Sequence, residues 1–421
     1  VRGHFSPWWA ISATATVFAG AVWLRAPSVL VVLALAVGLA WCATVTWRTR
    51  RGWLPGAFLL MGSVLLVLVT RAERQRSQDA AFPFASQAAV ARRGSASLAR
   101  VLEAEIVALQ RAANAALDVP SDPRAAFEQV EALRSGTVHR AITLVRGGVP
   151  FAWAGRMMAP VDSLAGPVGA IGTPFYLTLY AIAGRGADRA IAEAVIHAEP
   201  PADNVVTPLD RAVVVESGVA GFIYQDVTTA VRDSLTLVSF AGLPILGLRG
   251  VAPPPAMISA RNLEDGRVKA GLALAACLLL LLATTWRGGG VVSRFAGLGV
   301  ALAAVVLVPL SSFSNVTRLF NPAFYYVAKG GPFTGSIGAL AISCALLLMA
   351  LLTALRARLR IGNRAIAAVG VLLIASVGPI ALGDLARGVQ VPTGGVTTGL
   401  WLAWELTLFL AAVTILLLGV A

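Results

Sequence analysis

Cysteine, histidine and charge are all scarce in this chain, and each shortage removes a class of function. The three cysteines, Cys42, Cys277 and Cys344, fall inside long apolar runs. Neither a disulfide framework nor a thiolate metal cluster is therefore open to the polar part of the chain, and each reads as a small apolar residue. His4, His139 and His197 are the only histidines, too few and too scattered for a His-rich metal site. A kinase phospho-acceptor histidine is followed by an acid and sits on a helix, whereas His139-Arg140 precedes a strand pattern and His197-Ala198 ends one. The glycine-rich spots Gly184-Arg-Gly186 and Gly288-Gly-Gly290 lack both the strand–GxGxxG–helix context and a P-loop lysine. No nucleophile-elbow serine occurs. The paired acids Glu103/Glu105 and Glu264-Asp265 read as solvated charge on a helix face and in a linker. No catalytic constellation, metal site or cofactor is expected.

What fills the chain is apolar. It is 57% hydrophobic and 13% charged, with mean hydropathy +0.77, well outside soluble averages. A bilayer span takes about 20 mostly apolar residues. Eight segments qualify: Trp8–Leu24, Pro27–Trp47, Leu54–Thr70, Val268–Trp286, Val292–Leu310, Thr334–Leu355, Ala365–Gly383 and Thr398–Val420. Trp8, Trp9, Trp47, Trp53, Trp286, Tyr325, Tyr326 and Trp401 lie near span ends, where amphipathic rings favour the headgroup layer. No small-residue cleavage site follows the first span, so it does not read as a secretory signal.

The formal net charge of +13 is unevenly spread. Residues 71–266 hold 18 Arg against 19 Asp and Glu, while the remainder holds 16 Lys and Arg against only Asp384 and Glu405. The basic excess therefore belongs to span ends and short loops, and no nucleic-acid partner is implied. Arg2, Arg48, Arg50, Arg51, Arg287, Arg294, Arg356, Arg358, Arg360 and Arg364 fall on one side of the eight-span pattern. Arg25, Arg318, Lys329 and Arg387 fall on the other. By the positive-inside rule the richer side is cytoplasmic. Both termini are then cytoplasmic and residues 71–266 lie outside.

Three regions follow: a three-span part (1–70), an outside domain (71–266) and a five-span bundle (267–421). In the middle region, Gln87–Leu117 repeats apolar residues at three and four, which makes an amphipathic helix. The two prolines of Asp118–Pro123 end it. Arg124–Leu133 is a second helix capped by Ser121 or Asp122. Then the period changes to two. Arg140–Val145 and Val149–Ala154 read as strands joined by Gly147-Gly148. Phe175–Ile182, Ala190–His197, Ala212–Glu216, Gly221–Tyr224 and Leu235–Phe240 supply further strands, in a meander of five to seven. Val251–Pro255 is a stiff exit linker.

This order, and the hairpin Ala141–Gly155 with its Gly-Gly turn followed by Trp153 and Gly155, resembles the PAS-like extracytoplasmic sensor domains often called Cache domains. It is similar to hairpins found ahead of multi-span regions in some bacterial sensor histidine kinases. The resemblance implies a polytopic α-helical membrane protein of about eight spans with an inserted α+β PAS-like extracytoplasmic domain. The Tyr, Arg, Trp and Asp spacing of amino-acid-binding Cache pockets is missing here, so an amino-acid ligand is not implied.

A ligand pocket, where present, is expected beside the hairpin, lined by Trp153, Arg156, Tyr176 and Tyr180. Residues 176 and 180 share a strand face, and Arg156 suits an anion. Glu405, inside the last span, is the candidate for intramembrane coupling, since carboxylates at that depth are costly and often functional. Asp384, at a span end, reads as ordinary. The aromatic loop Ser311–Gly331 reads as an interfacial anchor, a cap on the bundle or a lipid-level ligand site. The expected function is signal input: an outside or membrane signal passed through the last span to a cytoplasmic effector such as a histidine kinase. Expected partners are membrane lipid, a small outside ligand, that effector and a second copy in a homodimer. The rival reading is a transporter or permease subunit with an outside domain, although no inverted repeat or broken-helix pair supports it.

Overall fold

The structure is a computed structural model that describes residues 6–49, 53–134, 138–199, 206–226, 235–358, 363–390 and 397–420. Arg2, His4, Arg50, Arg51 and Arg360, all named above, lie outside these residues. In chain order, three helices come first: α1 (Pro7–Arg25), α2 (Val29–Thr49) and α3 (Trp53–Ala81). Helices α4 (Pro83–Leu117) and α5 (Pro123–Leu133) follow, then strands β1 (Arg140–Arg146), β2 (Val149–Ala154), β3 (Val168–Gly172), β4 (Tyr176–Arg185) and β5 (Asp188–Ala198). Next are α6 (Leu209–Ser217), β6 (Gly221–Gln225), β7 (Thr236–Phe240) and β8 (Leu243–Val251). The chain closes with α7 (Pro255–Gly288), α8 (Val291–Leu307), α9 (Ile337–Arg356), α10 (Arg364–Ala386) and α11 (Thr398–Val420). These elements pack as two compact units, residues 1–78 with 260–421, and residues 79–259.

In the helical unit, seven helices among the described residues are long and apolar enough to cross a membrane: α1, α2, α3, α7, α9, α10 and α11. This is the architecture of a multi-pass membrane protein. The fifth apolar segment, expected as a span over Val292–Leu310, is the shorter helix α8. It stops at Leu307, two residues before Pro309, because the residue ahead of a proline is driven out of helical conformation. Val308 accordingly takes ψ 126°. Trp9, Trp23, Phe58 and Leu65 pack with Leu274 and Cys277 of α7 into one core. A Cβ on Gly38 of α2 would meet the Thr16 backbone of α1 at 3.4 Å, the close approach that small residues permit between membrane helices. The aromatic loop after α8 folds into short 3-10 turns. Tyr325, fully buried, pairs there with Val389 just beyond α10.

The second unit is built on α4. Its buried stripe, Leu98, Leu102, Ile106, Leu109 and Ala113, follows the three-four spacing of an amphipathic helix. The helix ends at Leu117 before the two prolines, and Asp122 caps α5 by accepting the Ala125 N–H at 2.9 Å. Five antiparallel strands form one sheet in the order β2-β1-β5-β4-β3, and three form another in the order β6-β8-β7. Gly147 and Gly148, with φ of +55° and +83°, make the primed turn that a two-residue hairpin favours. The β1–β2 hairpin forms an edge of its sheet, and β5 is the central strand.

Two readings of this region are corrected. Ala212–Glu216, expected as a strand from its run of valines, lies in α6. Leu209 and Val213, one turn apart, are the buried apolar positions, and Gly218 closes the helix at φ +73°, the usual left-handed C-terminal cap. Glu105, expected as solvated, is buried, while Glu103 is exposed.

Candidate functional site

The two faces of the five-stranded sheet have different covers. On one face Ile142, Leu144, Leu179, Ala181, Ala192, Ala194 and Ile196 join the α4 stripe in one core. Alanines on the two central strands let the helix lie close. The alternate residues, Thr143, Tyr180, Ile182, Ile191 and Glu193, point to the other face, since strand side chains alternate. That face is covered by the segment between β2 and β3. Ala159 and Leu164, with Met157 and Val161, pack there on Tyr180, Ile191, Ile171 and Ile182.

Glu193 sits at the centre of this second face. It lies opposite Tyr180 on β4 and Ala141 on β1, and its exposure is 0%. The Met158 N–H donates to Glu193 Oε1 at 2.5 Å, and the Ala159 N–H donates to Oε2 at 3.3 Å. Tyr180 holds the other end of the covering strap. Its hydroxyl donates to the Ala165 carbonyl at 2.6 Å and accepts the Ala165 N–H at 3.2 Å. Two sheet side chains therefore pin a non-regular segment of the chain at both ends.

The electrostatics of Glu193 are a contest. Burial without a cation penalises the charged carboxylate, while two backbone N–H groups favour it. Burial wins and pushes the carboxyl up to about 7 from an ordinary 4.5.

A second polar cluster joins the two sheets. His197 Nδ1, at the end of β5, lies 2.5 Å from Asp210 Oδ2 on α6, and the Tyr224 hydroxyl of β6 donates to the same oxygen at 3.0 Å. An ionised carboxylate only accepts, so Nδ1 carries the proton. The bond to Asp210 raises the His197 pKa above its ordinary range, against some loss of solvent. Burial and the Asp210 charge push the Tyr224 phenol well up. A third pair ties α4 to β1: Arg140 donates from Nε and Nη2 to the two Glu105 oxygens at 2.6 and 2.7 Å, the bidentate fork of a strong ion pair.

The side chains anticipated for a pocket are dispersed. Tyr180 is buried and binds the strap, as above. Tyr176 is half-buried at the start of β4. Trp153 is 53% exposed and packs edge-to-face on Phe127 of α5, with ring centroids 4.9 Å apart. Arg156 is exposed, and its carbonyl lies 3.1 Å from His139 Nε2. In the helical unit Glu405 is exposed on α11 and makes no hydrogen bond or ion pair among the described residues. Asp384 pairs with Lys329 at 2.6 Å.

Sequence reading missed Glu193, His197–Asp210 and the Glu105–Arg140 pair. One signal was present for the first. Ala190–Ala198 reads Ala-Ile-Ala-Glu-Ala-Val-Ile-His-Ala, and a strand apolar on both faces is a central, doubly covered one. A lone acid in its middle has to be buried. The partners of all three sites come from segments separated by loops or turns, and no short motif joins them. Compared with known proteins, this chain matches no family model, no curated protein and no solved structure.

Proposed function

We propose that the chain is the signal-input region of a membrane signal-transduction protein, with residues 79–259 as its sensing unit. The observation that carries this reading is Glu193. It is a carboxyl buried at the centre of a sheet, has no cation beside it among the described residues, and holds down a strap that closes the sheet face. Buried titratable groups with displaced pKa values concentrate at functional sites. A strap held by a handful of hydrogen bonds is also the kind of element that opens at low cost. The surrounding layout agrees: a compact α+β unit is inserted in sequence between three helices long and apolar enough to cross a membrane and four more, with the shorter α8 among the latter.

On this reading the unit is a PAS-like domain outside the cytoplasm of a bacterial cell. A signal there alters the strap and the sheet. The change reaches a cytoplasmic effector, such as a histidine kinase acting in a homodimer, through α3, α7 and α11. The test uses the protein joined to its effector in native membranes. Tyr180→Phe removes both strap bonds at Ala165 and leaves the ring in place. Effector output is compared with the parent at matched protein level. Altered output supports the reading. Unchanged output from both Tyr180→Phe and Glu193→Gln removes the strap from signalling.

A further inference from the structure

In the helical unit, α1, α8 and α9 border a cavity of about 400 Å³, and its cause is the early end of α8. With 17 residues that helix is about 25 Å long at 1.5 Å per residue. The hydrocarbon core of a bilayer is about 30 Å thick. Beyond Leu307 the chain turns away at Pro309 and leaves unfilled space beside the first turn of α9. The lining is mostly apolar, with Val305, Leu310, Phe320 and Ala339, and its polar members are Ser311, Ser336 and Arg25. Arg25 is exposed and makes no ion pair among the described residues. A second guanidinium lies close by, since Arg267 donates to the Arg25 carbonyl at 3.3 Å. Its Nε is buried without a partner.

We propose that this cavity binds an anionic membrane phospholipid, with the phosphate on Arg25 and the start of an acyl chain on the apolar lining. Three features select that occupant. The cavity lies at the end of the membrane helices, where a short helix leaves the level of the headgroups. Its lining is mostly apolar with a few convergent polar groups, the usual make-up of a small-molecule site. Its fixed charge is positive, and a guanidinium matches phosphate oxygens by paired N–H bonds. A zwitterionic lipid offers the same phosphate but brings its own cation to a site already cationic, so it binds more weakly. This site is separate from the strap, and it stands or falls independently of the signal-input reading.

The test takes the full chain in a neutral detergent and measures lipid retention by native mass spectrometry. The probes are phosphatidylglycerol and phosphatidylcholine with identical chains. The parent is expected to retain phosphatidylglycerol at least tenfold better than phosphatidylcholine. Arg25→Gln abolishes that preference and Arg25→Lys restores most of it. Gly335→Leu blocks both lipids. An added Cβ at Gly335 meets only the Gly331 carbonyl at 3.5 Å, so the larger side chain has room to enter the cavity. Circular dichroism and gel filtration check the fold of each variant. Where Gly335→Leu fails that check, the Arg25 pair decides alone. A parent without preference for phosphatidylglycerol overturns the proposal, and so does a preference that survives Arg25→Gln.

Discussion

Replacing Glu193 by Gln should make the sensing unit more stable at alkaline pH and remove the part of its pH dependence that this carboxyl supplies between 4.5 and 7. The carboxyl titrates at about 7 in the folded unit and at an ordinary 4.5 when solvated. Its folded form therefore holds a proton that the unfolded chain has already released. By linkage, the contribution of this carboxyl to stability is highest below pH 4.5, falls as pH rises from 4.5 to 7, and is level above that. The difference of about 2.5 units, at 1.36 kcal/mol each, amounts to about 3 kcal/mol. Glutamine keeps the shape and the acceptor for Met158 N–H but turns an NH2 toward Ala159 N–H, which costs about 1 kcal/mol. The variant should thus exceed the parent by about 2 kcal/mol at pH 8 and fall slightly below it at pH 4.5. The assay is urea unfolding of residues 79–259 followed by circular dichroism, with the variant curve subtracted from the parent curve at each pH. His197, whose pKa is raised, also loses its contribution as pH rises through its folded value, and the subtraction cancels it. Hydrogen exchange at Met158 and Ala159, corrected for intrinsic rates, should show the strap loosening above pH 7 in the parent alone. Parallel stability curves for parent and variant between pH 5 and 8 would refute the argument.

Other outcomes follow from the same geometry. Glu105→Gln removes the charge paired with the Arg140 guanidinium and should cost about 2–3 kcal/mol in urea, less than a fully buried pair because Arg140 keeps some solvent; a double change to Glu105→Leu with Arg140→Met should recover most of the loss, and an equal or larger cost would contradict the pairing. In proton NMR the His197 ring should titrate above 6.5, and Asp210→Asn should bring it down; an unshifted His197 in the parent would remove the cluster. Cysteines introduced at Gly147 and Gly362 should label from opposite sides of the membrane, with Gly147 reached from outside; the reverse pattern overturns the charge-derived orientation. In the complete protein Glu405→Gln should change effector output at normal abundance, whereas output equal to the parent's assigns no coupling role to Glu405.

The sequence carried the helices and the first hairpin plainly. The α4 stripe needs only a three-four spacing that recurs for many turns, and Gly147-Gly148 between two alternating runs admits few other turns. The limits of α8 were also legible, because Pro309 stands in the expected span and forbids a straight continuation, but hydropathy averaged over a window hides a single proline. Local pattern failed where tertiary packing decides. Val213, Val214 and Val215 favour a strand by their branching, yet burial of Leu209 with Val213 makes a helix of them, since burial outweighs a propensity of a few tenths of a kcal/mol. The strap carries no period at all. Residues 156–165 read as Arg-Met-Met-Ala-Pro-Val-Asp-Ser-Leu-Ala, and their place is set by bonds to Glu193 and Tyr180, 35 and 15 residues away, and by packing on the sheet face.

Three of the buried carboxylates of the sensing unit, Glu105, Asp210 and Glu193, differ in one respect that separates structure from function. Glu105 has a guanidinium clamped on both oxygens, so its charge is neutralised where it sits. Asp210 has an imidazole and a phenol on one oxygen. It holds the two sheets together whenever His197 is protonated, and more weakly when it is not. Glu193 has only backbone N–H groups. Backbone donors carry partial charges and cannot neutralise a carboxylate, so desolvation is met only in part. The charge at Glu193 therefore contributes nothing to stability above pH 7 and opposes it there. What it does provide is a strap whose grip depends on the state of one side chain, reached only by disturbing the strap itself. Paired carboxylates such as Glu105 resist a signal, and an unpaired one under a removable cover responds to it.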